Sequence, residues 1–254
     1  MGFFDKKPYL TKDVIVGGTK ISVRQVMGTG TDIAMQQVAA ATATARNWLK
    51  TAIPLLPSWQ YTEKITPLFR FLFRTEPNPV NTNIVWSVLQ NISNSLNRPF
   101  AVKVSNRNPS TLGYVTGYYA ECVERGGGVY LFDQEDQVLR RQGEIHIYRG
   151  TLAKGDVATV TLIHEAGHRF ANLEDFGDDG YFTEDYSGLG SYTLPWDKCM
   201  RNADSYAAFV YFLANPAAAT SRITAALQKR ADRAASRAAA AGSDDAFNLG
   251  DLFG

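Results

Sequence analysis

Two histidines four residues apart, with a glutamate directly after the first, stand in Thr161-Leu-Ile-His-Glu-Ala-Gly-His-Arg-Phe170. On a helix His164 and His168 share one face, so both imidazoles can reach one metal ion while Glu165 projects beside them toward a metal-bound water. Zinc held this way brings its water toward neutrality in pKa and polarises a scissile carbonyl. A neighbouring carboxylate can take the water's proton and deliver it to the leaving amine. The chemistry implied is peptide-bond hydrolysis with Zn2+ as cofactor. Val157, Val160, Leu162 and Ile163 lead into the motif as an apolar run. That favours a buried helix carrying polar groups into a cleft over a surface helix with two histidines.

Catalytic zinc takes three protein ligands and a water, so a further ligand is expected downstream. No histidine follows His168, which leaves Asp or Glu. The segment from Asn172 to Gly188 holds Glu174, Asp175, Asp178, Asp179, Glu184 and Asp185 and no basic residue. Such a run is ordinarily a solvated loop; beside two histidines it is the natural source of a carboxylate. The remaining histidine, His146, lies in an alternating strand pattern and is expected at the surface, not as a ligand. Asn-Glu-x-x-x-Asp, the pattern that supplies a Glu ligand from a later helix, is absent.

Asp178-Asp-Gly-Tyr181 and Asn202-Ala-Asp-Ser-Tyr-Ala-Ala-Phe209, together with the His-Glu-x-x-His motif, resemble the aspzincins, the deuterolysin and peptidyl-lysine metallopeptidase group. The resemblance covers roughly residues 33 to 215. It implies zinc held by His164, His168 and Asp178, Glu165 as general base, Tyr181 as oxyanion partner, and lysine on the leaving side of the cleaved bond. The family's Gly-Thr-x-Asp-x-x-Tyr-Gly signature is not intact and the gap from His168 to Asp178 is long, so Asp175, Asp179 and Asp185 stay in play. Asn202, Asp204 and Tyr206 could orient a ligand histidine, form an acidic pocket for a basic substrate residue, or cap the helix they begin.

The elements that must position these groups change character along the chain. Val14 to Val23 reads as a hairpin around Gly17-Gly18. Helical spacing follows over 33–53, ended by Pro54 and Pro57, then over 62–73 and 81–96. Beyond Pro99 the period becomes that of strands: Phe100–Val104, Gly113–Tyr119, Gly128–Phe132 and Glu144–Tyr148. His146 to Gly150 is the candidate free edge for an extended substrate. Helices resume over 197–214 and, Ala- and Arg-rich, over 217–241. The expected fold is α+β, a mostly helical zincin-like domain with a small sheet ahead of the active-site helix. The expected division is an N-terminal arm or hairpin over 1–32, the peptidase domain over 33–215, and an exposed helix with a mobile tail over 216–254.

The chain of 254 residues, 45% apolar and 20% charged, has the composition of an ordinary globular protein. Its net charge of +1 gives no reason to expect nucleic acid or a membrane surface as partner. No signal-peptide pattern and no membrane-length apolar run is present. Two cysteines, Cys122 and Cys199, are too few to indicate a compartment. The expected partner is a protein or peptide substrate. An exported bacterial effector or toxin, secreted without a cleaved signal, would add an inhibitor or immunity protein. Two other function classes fit the same motif: a non-catalytic protein with a structural zinc site, and an amidase acting on cell-wall peptide.

Overall fold

A computed structural model describes residues 9–26, 31–57, 64–105, 112–115, 119–121, 139–141, 143–177, 180, 194–219 and a few positions up to 236. The chain opens with a hairpin, β1 (Tyr9–Val16) and β2 (Thr19–Val26), whose turn has positive φ at both Gly17 (54°) and Gly18 (78°). Two such residues give a turn whose twist matches that of the flanking strands, and glycine adopts the conformation without a Cβ penalty.

Helix α1 (Thr31–Ala52) buries Ala34, Val38, Ala41, Ala45, Leu49 and Ala52, a stripe at three- and four-residue spacing with small side chains that permit close packing. A 3-10 turn carrying Pro54 ends it. Helix α2 (Ile65–Leu68) runs into a π-helical turn, Phe69–Phe73, and stops at Arg74 in the left-handed conformation, φ 54°. Helix α3 (Pro79–Leu96) begins with Asn78, whose side chain accepts hydrogen bonds from the Val80 and Asn81 N–H groups at 2.9 Å, and with Pro79 in its first turn.

The strands that follow are β3 (Phe100–Ser105), β4 (Gly113–Val115), β5 (Tyr119–Glu121), β6 (Leu139–Arg141) and β7 (Ile145–Tyr148). The main sheet has five strands in the order β1-β2-β3-β7-β4, and β5 pairs with β6 separately. Ile21, Val23, Val102, Val104, Ile145 and Ile147 are all buried in the core. After β7 come α4 (Arg149–Leu152), α5 (Asp156–Ala171), α6 (Trp196–Cys199) and α7 (Ala203–Ala214). Every residue of α7 from Ala203 to Leu213 is buried, and α5 packs against α1, α3, α7, β4 and β7. The His-Glu-x-x-His motif therefore lies on a helix enclosed by other elements, and the fold is the expected α+β one.

Several expectations change. The N-terminal hairpin joins the main sheet, β2 pairing in parallel with β3 from Ile21↔Phe100 to Gln25↔Val104. Strand β7 is not a free edge, because β3 pairs with one side of it and β4 with the other; among the described residues β4 ends the sheet on the side of α5. His146 is accordingly buried. Burial, with Lys103 and Arg24 nearby, lowers its pKa to about 4. The helix expected over 197–214 is two helices separated by Met200–Asn202. The strand expected over Gly128–Phe132, Cys122 and the tail from Gly242 lie outside the described residues. Of the Ala/Arg-rich stretch, residues 216–219 are helical, and Ala218, Ala219 and Ile223 pack on the core.

Candidate metal centre

Helix α5 presents His164, Glu165 and His168, and the way it ends presents the third candidate ligand. Asn172 takes the left-handed conformation (φ 53°), its N–H donating to the Gly167 carbonyl, and the Leu173 N–H donates to the same oxygen at 3.2 Å. The chain thus doubles back over the helix. Gly167 makes room for this, since a Cβ there would lie 2.9 Å from Leu173 Cδ1. The reversal does two things. It aims the Leu173 carbonyl at His168, whose Nδ1–H donates to it at 2.7 Å. It also returns Asp175 to the histidine face, with Oδ1 at 3.2 Å from His164 Nε2 and 3.0 Å from His168 Nε2.

The two Nε2 atoms are 2.9 Å apart, so three donor atoms form a nearly equilateral triangle. Ligands at zinc distances in a tetrahedral site stand about 3.3 Å from one another, a few tenths of an ångström more than here. The tautomers agree with that use. A carbonyl and a carboxylate only accept, so His168 carries its Nδ1 proton toward Leu173. His164 carries its own toward Asp204 Oδ1 at 2.8 Å. Both Nε2 lone pairs then face each other and a carboxylate, an arrangement that requires a cation among them. In the metal-free protein a proton serves. Burial opposes charge on His164, but Asp204, Asp175 and Glu165 together outweigh it and hold its pKa well above the ordinary imidazole value. Burial likewise opposes charge on Asp175, and its hydrogen bonds to His164 and His168 outweigh this, holding the carboxyl well below the usual range. The donor set fits Zn2+.

Glu165 is buried at 3% exposure, directly under the edge strand. A Cβ on Gly113 would meet the His146 carbonyl oxygen at 2.7 Å, Thr161 Cγ2 at 2.9 Å and Glu165 Oε1 at 3.0 Å. Gly113 is therefore the position at which β4 lies against the carboxylate. An isolated glycine in a strand pattern is the sequence sign of such close approach.

A single stretch at the start of α7 braces the centre. Glu174 N–H donates to the Arg201 carbonyl at 2.8 Å, Ala203 N–H donates to the Glu174 carbonyl at 3.0 Å, and the Arg201 guanidinium pairs with the Glu174 carboxylate at 2.8 Å. Of the roles expected of the Asn202-Ala-Asp-Ser-Tyr206 segment, the orienting of a ligand histidine is the one seen, and Asn202 makes no side-chain cap. Asp204 orients His164. Asn202 reaches the Gly180 carbonyl at 3.0 Å. Tyr206 donates to the Met200 carbonyl at 2.7 Å and packs edge-on against Phe73, as a core residue whose burial pushes its phenol pKa far up. Of the residues expected to act, His164, Glu165 and His168 are brought together. Asp178 and Tyr181 lie outside the described residues, and the carboxylate placed between the histidines is Asp175.

No family model matches the chain, and no curated protein sequence does. A solved structure does: a zinc peptidase from Grifola frondosa, at a TM-score of 0.51 and 15% identity, over 73% of this chain and 98% of that one. The shared feature is the fold, and within it this chain carries a His/His/Asp group able to hold a metal. Among the described residues no helix is long and apolar enough to cross a membrane.

Proposed function

We propose that the protein is a zinc-dependent endopeptidase whose metal is held by His164, His168 and Asp175. The observation that carries this reading is the convergence of two imidazole Nε2 atoms and one carboxylate oxygen within 3.2 Å of one another, each imidazole fixed by an acceptor at Nδ1. Bound zinc would supply a water of near-neutral pKa and a Lewis acid for the scissile carbonyl. Asp204 and the Leu173 carbonyl keep both rings turned toward the centre. Glu165, next to His164 on the helix and shielded under β4, is placed to hold the proton removed from water and release it to the leaving amine. Among the described residues no strand pairs with the far side of β4, whose backbone groups an extended peptide could meet beside that carboxylate. Tyr181 would add an oxyanion donor by the resemblance in its local sequence; the same resemblance offers Asp178 as the alternative to Asp175 for the third ligand.

Preference for lysine on the leaving side rests on the same resemblance. Asp204, the acidic residue of the segment concerned, is committed to His164, so such a preference would need carboxylates from elsewhere.

The test is cleavage of a denatured protein by the zinc-loaded chain, with the cut sites mapped by mass spectrometry. Glu165→Gln should retain the metal and lose about two to four orders of magnitude in kcat. If wild type and Glu165→Gln are equally inert on a broad peptide library, the zinc is structural and the proposal fails.

A further inference from the structure

Asn202 is an amide buried to 1% exposure in the break between α6 and α7, on the residue stretch that also braces Glu174 and supplies Asp204. Its Nδ2 donates to the Gly180 carbonyl at 3.0 Å and to Ser205 Oγ at 3.2 Å. Gly180 closes a turn by donating its N–H to the Gly177 carbonyl at 2.9 Å. It sits so tightly that a Cβ would come within 3.1 Å of Leu194 Cδ1 and Phe176 Cβ and 3.2 Å of Asn202 Oδ1. The loop bearing Asp175 is thus tied on both sides to the same three residues: before Asp175 by the Glu174 backbone ladder with Arg201 and Ala203, and after it by the Asn202 side chain.

We infer that Asn202 is a positioning residue for the metal centre, acting through the Gly180 carbonyl to hold the Asp175 loop in register with the two histidines. The inference rests on Asp175 as third ligand. Its mechanism is geometric: among the described residues the backbone ties of the Asp175 loop to the α6–α7 break lie at Glu174, Phe176 packs on Leu194 and Cys199, and the Asn202–Gly180 link fixes the far side, so losing that link loosens the hold on the carboxylate at the Nε2 pair. Ser205 separates this role from ordinary packing. It takes the second hydrogen bond of the same amide but has no part in the Gly180 contact, so losing its hydroxyl disturbs the start of α7 and leaves the loop tied.

The experiment measures zinc affinity of the full chain by competition with a chromophoric chelator, alongside the unfolding temperature of the metal-free protein. The variants are Asn202→Ala, Asn202→Asp and Ser205→Ala. Asn202→Asp keeps the side-chain volume and sets an oxygen against the Gly180 carbonyl, so it reports on the link even where truncation impairs folding. Both Asn202 variants should bind zinc at least about tenfold more weakly, the usual scale for losing a group that supports a ligand. Ser205→Ala should bind as wild type does, at an unfolding temperature close to that of Asn202→Ala. Zinc affinities within about twofold of wild type for both Asn202 variants would overturn the inference, as would an equal loss in Ser205→Ala. Wild-type protein that binds zinc through Asp175 but cleaves no peptide would sink the endopeptidase proposal and leave this one standing. Full zinc affinity in Asp175→Ala would remove it.

Discussion

Replacing Asp204 separates what holds the metal from what orients its ligand. The carboxylate accepts the His164 Nδ1–H at 2.8 Å in a site where Asp204 is only 8% exposed, so it makes a charge-assisted hydrogen bond with little competition from water. Asp204→Asn can keep a neutral hydrogen bond through its amide oxygen. The difference between charged and neutral bonds, about 1 to 1.5 kcal/mol, corresponds to roughly tenfold weaker zinc binding. Asp204→Ala leaves the Nδ1–H without its acceptor, and a loss of about a hundredfold is expected. The pH dependence sharpens the test. Asp204 is the main group that raises the His164 pKa against burial, and zinc must displace that proton. Wild-type affinity should therefore climb as pH rises through neutrality. In Asp204→Asn the climb should level off at lower pH and on a lower plateau, so the two curves converge on acidification. Chelator competition at several pH values between about 5.5 and 8.5 reads both effects. Zinc affinity in Asp204→Ala within about twofold of wild type across that range would refute the orienting role.

The close approach at Gly113 predicts that Gly113→Ala lowers kcat at least about tenfold with zinc content unchanged, because the added methyl meets the His146 carbonyl and Glu165 Oε1. Steady-state kinetics with metal analysis checks it, and unaltered kcat would contradict the placement of β4 over the carboxylate. Metal-free protein should also show a two-sided pH profile in chemical denaturation. The lowered pKa of Asp175 adds stability that is present above its ordinary value of 3.8 and is lost as pH falls below that. The raised pKa of His164 adds stability that is full below the ordinary 6.5 and is lost as pH rises through its higher folded-state value. Zinc should abolish the second limb, and Asp204→Asn should shrink it.

The parts of the molecule governed by local pattern were legible in the residues. The α1 stripe, the Gly17-Gly18 turn and the motif helix each follow from spacing or from a residue with one conformational use. What pairing decides was not legible. Glu144 to Tyr148 alternates like an edge strand, yet β7 is central because β4 returns to cover it, and His146 is buried as a result. Chain reversal was also hidden. Counting from His168 toward an Asp-x-x-Tyr spacing leads to Asp178, whereas a left-handed Asn172 against Gly167 turns the chain back early enough for Asp175 to reach both imidazoles. The signals were present, an Asn just past the helix and a Gly one turn inside it, but their consequence depends on the direction in which the loop leaves.

Zinc content measured on Asp175→Ala and Asp178→Ala, purified in parallel and dialysed against the same buffered free zinc, tests the centre most directly. His164, His168 and Asp175 as ligands predict about one zinc per chain in Asp178→Ala and near none in Asp175→Ala. A full complement in Asp175→Ala with loss in Asp178→Ala would contradict the account.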